Sequence, residues 1–234
     1  MFAAIDFSPL ILPAAIMAFA CTLGISITMV VMMKRMQGDH LVPLHPDDPK
    51  WRKLHESAES SIQWAVHHGF TILGYFRVPS GGLILLWERR GEPTFLAHYF
   101  IQRQIAIDLY TVFENSIGLT TCSSSSSHLF PKRPGSYCQS AASTLFDAIF
   151  AGHCEALEYL VQEGARLKSG AVDGVAQFNA SIVRSLEFVR ALPLWPIRAI
   201  AWYWFRRRRW HGVPIAEQVR RGWVPAPARL TAAQ

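Results

Sequence analysis

The sequence predicts an α+β protein: one N-terminal transmembrane helix, an antiparallel meander sheet flanked by helices, and a basic amphipathic C-terminal helix. Three observations carry this. No charged residue occurs between Asp6 and Lys34. Residues 70–121 form short runs rich in β-branched and aromatic residues, the first two closed by Gly/Pro turns at 79–82 and 91–93. Arginine is concentrated after Ala191, where eight arginines face one acid, Glu217.

The first element is the apolar run Leu10–Met33. With 50% hydrophobic and only 17% charged residues, the chain carries more apolar side chains than one small core needs. A run this long exceeds the roughly 20 residues a helix needs to cross hydrocarbon. Pro13 falls in its first turn, where a missing N–H costs little. Gly24, Ser26 and Thr28 are small enough for close packing against partner helices. A secretory signal would open on a basic segment, and Met1–Leu10 has none. A lipoprotein site at Cys21 is disfavoured by Phe19, where a small residue belongs. Lys34 and Arg35 follow the run and no Lys or Arg precedes it. The positive-inside bias therefore predicts a bacterial inner-membrane type of topology, with the N-terminus outside and the main domain cytoplasmic. Cys122, Cys138 and Cys154 form no C-x-x-C pair, which suits a reducing compartment and leaves a single Cys122–Cys138 bridge as the alternative.

The expected organisation is an anchor over 1–36, a linker over 37–48, a cytoplasmic α+β domain over 49–190 and a basic aromatic tail over 191–234. Asp47, Asp48 and Pro49 open a helix whose apolar face is Trp51, Leu54, Ala58, Ile62, Ala65 and Val66, and Gly69 stops it. Strands are expected at Phe70–Val78, Leu83–Arg90, Thr94–Ile101, Ile105–Phe113 and Gly118–Thr121. Their tight connections imply antiparallel neighbours. Ser123–Ser127 and Pro131–Gly135 read as a connector. Helices follow over Ser140–Glu163 and along Val172, Val175, Phe178, Ile182, Leu186 and Val189. Together the helices are expected to cover one face of the sheet.

Thr144-Leu145-Phe146-Asp147-Ala148, with Gly152 to Leu160 and Gly164-Ala165, resembles one ankyrin repeat. Phe146 stands where that family has His, and Leu145 where it has Pro. Such repeats bury their faces against neighbouring copies, and the sequence holds no second copy. The resemblance implies no function here; a helix pair or a kinked helix is the expectation.

Motifs for chemistry are absent. Nine histidines include no H-x-x-x-H or H-E-x-x-H pair that would aim two imidazoles at one ion. There is no G-x-S-x-G and no glycine-rich phosphate loop, so no cofactor is expected and an enzymatic role is disfavoured. Asp108, Glu88 and His98 are the side chains that would matter if they converged on a pocket.

The tail is the richest signal. Trp195, Arg198, Trp202, Tyr203, Trp204, Arg206, Arg207, Arg208, Arg209 and Trp210 combine aromatic and cationic groups in the pattern of a helix lying at lipid headgroups or docked on a protein. Arg198 makes the segment too charged for an easy second span. These features predict a non-enzymatic, single-pass accessory or assembly subunit of a larger membrane complex. Its partners would be other membrane subunits and anionic lipid headgroups. The alternative is a membrane-tethered enzyme or small-ligand-binding domain with a pocket between sheet and helices. Nucleic acid is the least favoured partner.

Overall fold

The computed structural model describes residues 17, 20–28, 30–31, 34, 41–45, 47–78, 82–101, 104–123, 128, 131–141 and 143–231. The chain divides into two compact units, Met1–Gln37 and Gly38–Gln234. In the first, the described residues are helical. The hydroxyls of Ser26 and Thr28 donate back to the carbonyls of Thr22 and Gly24 at 2.8 and 2.9 Å, as hydroxyl residues within helices do. Among the described residues no helix is long and apolar enough to cross a membrane. Much of the expected span, including Leu10–Ile16, lies outside the described residues.

The second unit is α+β, built on one seven-stranded sheet in sequential order. Its strands are β1 (Val42–Pro43), β2 (Phe70–Arg77), β3 (Leu83–Arg89), β4 (Thr94–Ile101), β5 (Gln104–Val112), β6 (Gly118–Cys122) and β7 (Ser136–Ser140). The first five pairings are antiparallel: the four among β2 to β6 follow the short connections as expected, while β1, in the expected linker, adds a short edge strand across two intervening helices. The β6–β7 pair is parallel, so the sheet is mixed rather than a pure meander. The reason lies in the connection: residues 123–135 are long enough to carry the chain back to the start of β6, which a parallel neighbour requires.

Two helices precede the sheet, α1 (Pro49–Ser57) and α2 (Glu59–His67). The sequence reads them as one helix, but they break at buried Ala58. The Ala58 amide reaches only three residues back, to His55, and the Ser61 hydroxyl takes the Ala58 carbonyl at 2.8 Å. Gly69, at φ 81°, ends α2 in the left-handed conformation expected of a helix stop.

After the sheet come α3 (Phe146–Gln162) and α4 (Gly174–Ala191). Helix α3 is one continuous element that starts six residues later than the expected Ser140, because Ser136–Ser140 is spent on β7. The ankyrin-like stretch is therefore a single helix and not a helix pair.

The helices cover both faces of the sheet, not one. On the first face, α2 and α3 bring Ala65 and Ile149 against Tyr75, Leu85, Trp87, Leu96, Ile107 and Leu109. On the second, α4 packs Val175, Phe178 and Ile182 against Phe76, Ile84, Leu86 and Ala97. Gly174 permits that approach: a Cβ there would lie 2.5 Å from the Phe95 ring and 2.7 Å from the Leu73 side chain. Leu73 is thrown out by a bulge in β2 between Ile72 and Gly74.

The tail is likewise part of this unit. It contains α5 (Trp195–Ala201), a π-helical turn (Trp202–Arg206), a 3-10 turn (Arg207–Trp210), α6 (Ile215–Arg220) and α7 (Pro227–Thr231). Ile215 is fully buried with Leu119, Tyr137 and Leu160. The expected boundary at Ala191 is thus crossed by a shared core.

Candidate functional site

Three places combine polar chemistry with shape: the outward half of the tail, a cavity beside β7, and the second face of the sheet around Asp108.

Tail residues sort by helical phase. Trp202 is buried and donates its indole N–H to the His128 carbonyl at 2.8 Å. Its ring lies 5.4 Å from Trp210, which lies 5.0 Å from Trp223. These two expected interface residues, Trp202 and Trp210, belong to an inward aromatic stack. Trp195, Tyr203, Trp204 and Arg207 are half-buried, and the Arg207 guanidinium covers the Tyr203 ring at 3.9 Å. What remains outward is Leu194, Ile197 and Phe205, exposed by 72%, 63% and 75%. Arg198, Arg206, Arg208 and Arg209 surround them, also exposed. Leu194 caps α5 in left-handed backbone and the helix passes into the π and 3-10 turns, so apolar and cationic groups alternate along the exposed part of this segment. No carboxylate occurs between Glu187 and Glu217. Among the described residues none of these four arginines forms an ion pair.

The cavity beside β7 has a volume of about 300 Å³ and is walled by β7, α3 and the start of α6, with Gln139, Ser140, Ser143, Glu155 and Tyr159 among its lining. Behind it runs a chain of buried polar groups on the first face of the sheet. Thr94 and Thr111, paired across β4 and β5, share a 2.8 Å hydroxyl contact. The Thr111 hydroxyl meets His153 Nε2 at 2.8 Å, and His153 Nδ1 meets the Thr121 hydroxyl at 2.9 Å. Gln139 donates to Thr121 at 3.1 Å and to the Gly152 carbonyl at 2.8 Å, and accepts from the Ile215 amide at 3.0 Å. Burial, with the positive charge of Arg89, lowers the His153 pKa to about 3. The imidazole is therefore neutral, with both nitrogens held by hydroxyls. It clamps the strands to α3 and is not placed to exchange protons with the cavity.

Asp108, Glu88 and His98 do not converge. His98 is fully buried on the first face, accepts from the Trp87 indole at 2.9 Å, and has its pKa lowered to about 4 by burial. Glu88 lines a shallow groove with Arg90 and Glu92. Asp108 lies half-buried on the second face with Tyr99 and Cys122. Burial raises its carboxyl to about 6, against the Cys122 and Tyr99 hydrogen bonds and the Lys132 charge, which lower it. Among the described residues no group of three or more His, Cys, Asp and Glu side chains is arranged to hold a metal ion.

Sequence reasoning did not find the Thr94–Thr111–His153–Thr121–Gln139 chain. Its one signal was Thr111, which continues the inward series Ile105, Ile107, Leu109 and breaks its apolarity. Gly24, Ser26 and Thr28 lie in the first unit, where Thr28 is exposed and nothing lies within 4 Å of a Cβ built on Gly24. Comparison with protein-family models, curated proteins and solved structures finds no match to this chain.

Proposed function

We propose that this protein is a non-enzymatic accessory subunit that works at a membrane surface, anchored by its N-terminal apolar run and docked through the outward face of its C-terminal segment. The observation that carries this is the placement of Leu194, Ile197 and Phe205 in solvent among Arg198, Arg206, Arg208 and Arg209. Large apolar side chains exposed together are costly unless a partner covers them. Arginines free of carboxylates favour an anionic partner, and each contributes about 1 kcal/mol near an anionic leaflet. Phe205 beside arginine suits the headgroup boundary, where rings sit in the acyl region and guanidinium groups in the phosphates. The uncharged stretch between Asp6 and Lys34 supports a span whose basic flank leads into the domain.

The test uses the full chain. Extraction in mild detergent is expected to recover it with stable partner proteins; recovery as a lone monomer at full yield would overturn the subunit reading. Hydrogen exchange of residues 194–209 in nanodiscs addresses the docking face. Exchange is expected to slow when phosphatidylglycerol is added to phosphatidylcholine, and to revert in R198Q/R206Q/R208Q/R209Q. Equal exchange in both lipid mixtures would remove the lipid from the reading.

A second reading rests on the cavity of about 300 Å³ beside Gln139 and Tyr159, within the usual size of small-molecule sites. It makes the domain a ligand sensor, and it predicts that filling the cavity with Ala216→Phe abolishes a ligand response while leaving the fold intact.

A further inference from the structure

A cleft of about 420 Å³ lies at the end of β5 where the chain turns into β6. It is bounded by Tyr110, the 114–117 turn, Lys168, and Gln177 and Arg184 of α4. Gln177 and Arg184 are seven residues apart and so lie on one side of α4. Between them Ser181 is hydrogen-bonded to the Tyr110 hydroxyl. Gly118 makes room for that ring, since a Cβ there would lie 3.1 Å from Tyr110 Cε2. The Arg184 Nε is buried and has no hydrogen-bond partner.

A second guanidinium stands close by. Arg133 donates to the Ser116 carbonyl at 2.6 Å. Burial, and then the charge of Arg184, lower its pKa, while Tyr110 opposes the shift. Lys168 enters from the loop after α3. Among the described residues no carboxylate lies within ion-pair distance of Arg133, Arg184 or Lys168. Glu114 is the only acid among the lining residues. Lys168 and Arg184 against Glu114 leave the lining with one net positive charge, which Arg133, adjacent through Ser116, raises to two. Holding two guanidiniums and an ammonium together, with one N–H desolvated and unpaired, costs free energy that an anion would offset. The turn opposite carries two consecutive non-glycine residues in left-handed backbone, Asn115 at φ 55° and Ser116 at φ 59°. This is the ordinary geometry of a two-residue hairpin turn, closed by the Ile117 amide on the Glu114 carbonyl at 3.1 Å, and it fixes that wall of the cleft.

We propose that this cleft binds a doubly charged oxyanion of the phosphate class, with Arg184 and Lys168 as its principal ligands, Arg133 as a neighbouring charge, and Gln177 as a hydrogen-bonding wall. Two cations match the charge of a phosphate monoester, and a guanidinium presents paired donors to its oxygens. The volume leaves room for a small organic group beside the phosphate. The inference is independent of the docking face, because none of these residues belongs to the tail.

The experiment is a thermal-shift and ³¹P NMR titration of the full chain in a non-ionic detergent. The probe is inorganic phosphate, compared with chloride at matched ionic strength. A saturable rise in melting temperature specific to phosphate is expected, with broadening of the ³¹P line. Arg184→Gln and, separately, Lys168→Gln should each weaken binding about tenfold or more. R206Q/R208Q should leave it unchanged. Should R184Q fail to fold, K168Q alone carries the test. Equal shifts with phosphate and chloride, or full binding by K168Q, would overturn the proposal. Repeating the titration with phosphatidic acid nanodiscs assigns the source: competition marks a lipid headgroup and its absence a free phosphate, and both uphold the oxyanion.

Discussion

The Trp202 indole donates a 2.8 Å hydrogen bond to the carbonyl of His128, 74 residues earlier in the chain. Phe205, three residues on, is 75% exposed. One short helical segment therefore does two jobs. Its inner side closes the core through the Trp202–Trp210–Trp223 stack, and its outer side leaves apolar and cationic groups in solvent.

That division predicts opposite mutational behaviour within three residues. Trp202→Ala should cost about 3–5 kcal/mol, the usual loss for a buried aromatic. Trp202→Phe should cost less, near the 1 kcal/mol of one net hydrogen bond plus some lost area. Phe205→Ala should stay within about 0.5 kcal/mol. Urea midpoints at constant m-value measure all three. A large loss from Phe205→Ala would mean that the outer side is not free.

Stability should fall between pH 7 and pH 5. The His153 pKa is lowered to about 3 in the folded protein, against an ordinary value near 6.5. The unfolded chain therefore binds the proton first as pH falls, and the contribution present above pH 6.5 is lost towards about 3. At pH 5 that loss is about 2 kcal/mol for this one side chain. His98 and His128, lowered to about 4 and about 3 chiefly by burial, act in the same direction. Asp108 opposes them. Its carboxyl is raised to about 6, so its contribution is present at low pH and is lost as pH rises through 6. H153Q should be less stable at neutral pH yet show a shallower slope in denaturation experiments from pH 7 to pH 5. An unchanged slope would show that His153 is not the buried neutral base inferred here.

Helix α4 reaches the sheet because residue 174 has no side chain. Gly174→Ala places a methyl 2.5 Å from Phe95 and 2.7 Å from Leu73. The Phe95 ring cannot retreat freely, since it is itself buried in β4. Overpacking of this kind costs about 1–3 kcal/mol. Gly91→Ala, with nothing within 4 Å but φ at 79°, should cost only the backbone strain of about 1 kcal/mol. A thermal melt of the two variants separates crowding from backbone strain.

Much of this fold is legible in the chain because its elements are local. β2, β3 and β4 are set apart by turns rich in Gly and Pro at 79–82 and 91–93, β5 alternates in the expected way, and Gly69 marks a helix end by chemistry that acts over a few residues. What could not be read depends on partners distant in sequence. β7 is a short polar run whose strand character comes from pairing with β6, and its Gln139 reads as a surface residue until it is bonded to Thr121 and Ile215. The tail looked uniformly amphipathic because indoles suit a headgroup layer and a core equally well. Arg184 and Lys168 gave no motif at all, since only the fold brings them to one cleft.

The two inner cysteines should be chemically silent. Cys122 and Cys138 are 2% and 4% exposed on neighbouring strands of the second face, and neither is in a disulfide. Cys122 donates or accepts a hydrogen bond with the Cys138 thiol, which raises its pKa, and burial and the Asp108 carboxyl raise it further. The thiolate is the reactive form, and the Cys138 thiol, burial and the Asp108 carboxyl all oppose it. N-ethylmaleimide at neutral pH, followed by peptide mass mapping, should label Cys154 slowly, and Cys122 and Cys138 not at all until urea unfolds the chain. The same mapping should find no bridge between them. Rapid native labelling of Cys122 would show that the second face opens around Asp108, and a reactive thiol beside a carboxyl would then return an enzymatic role to consideration.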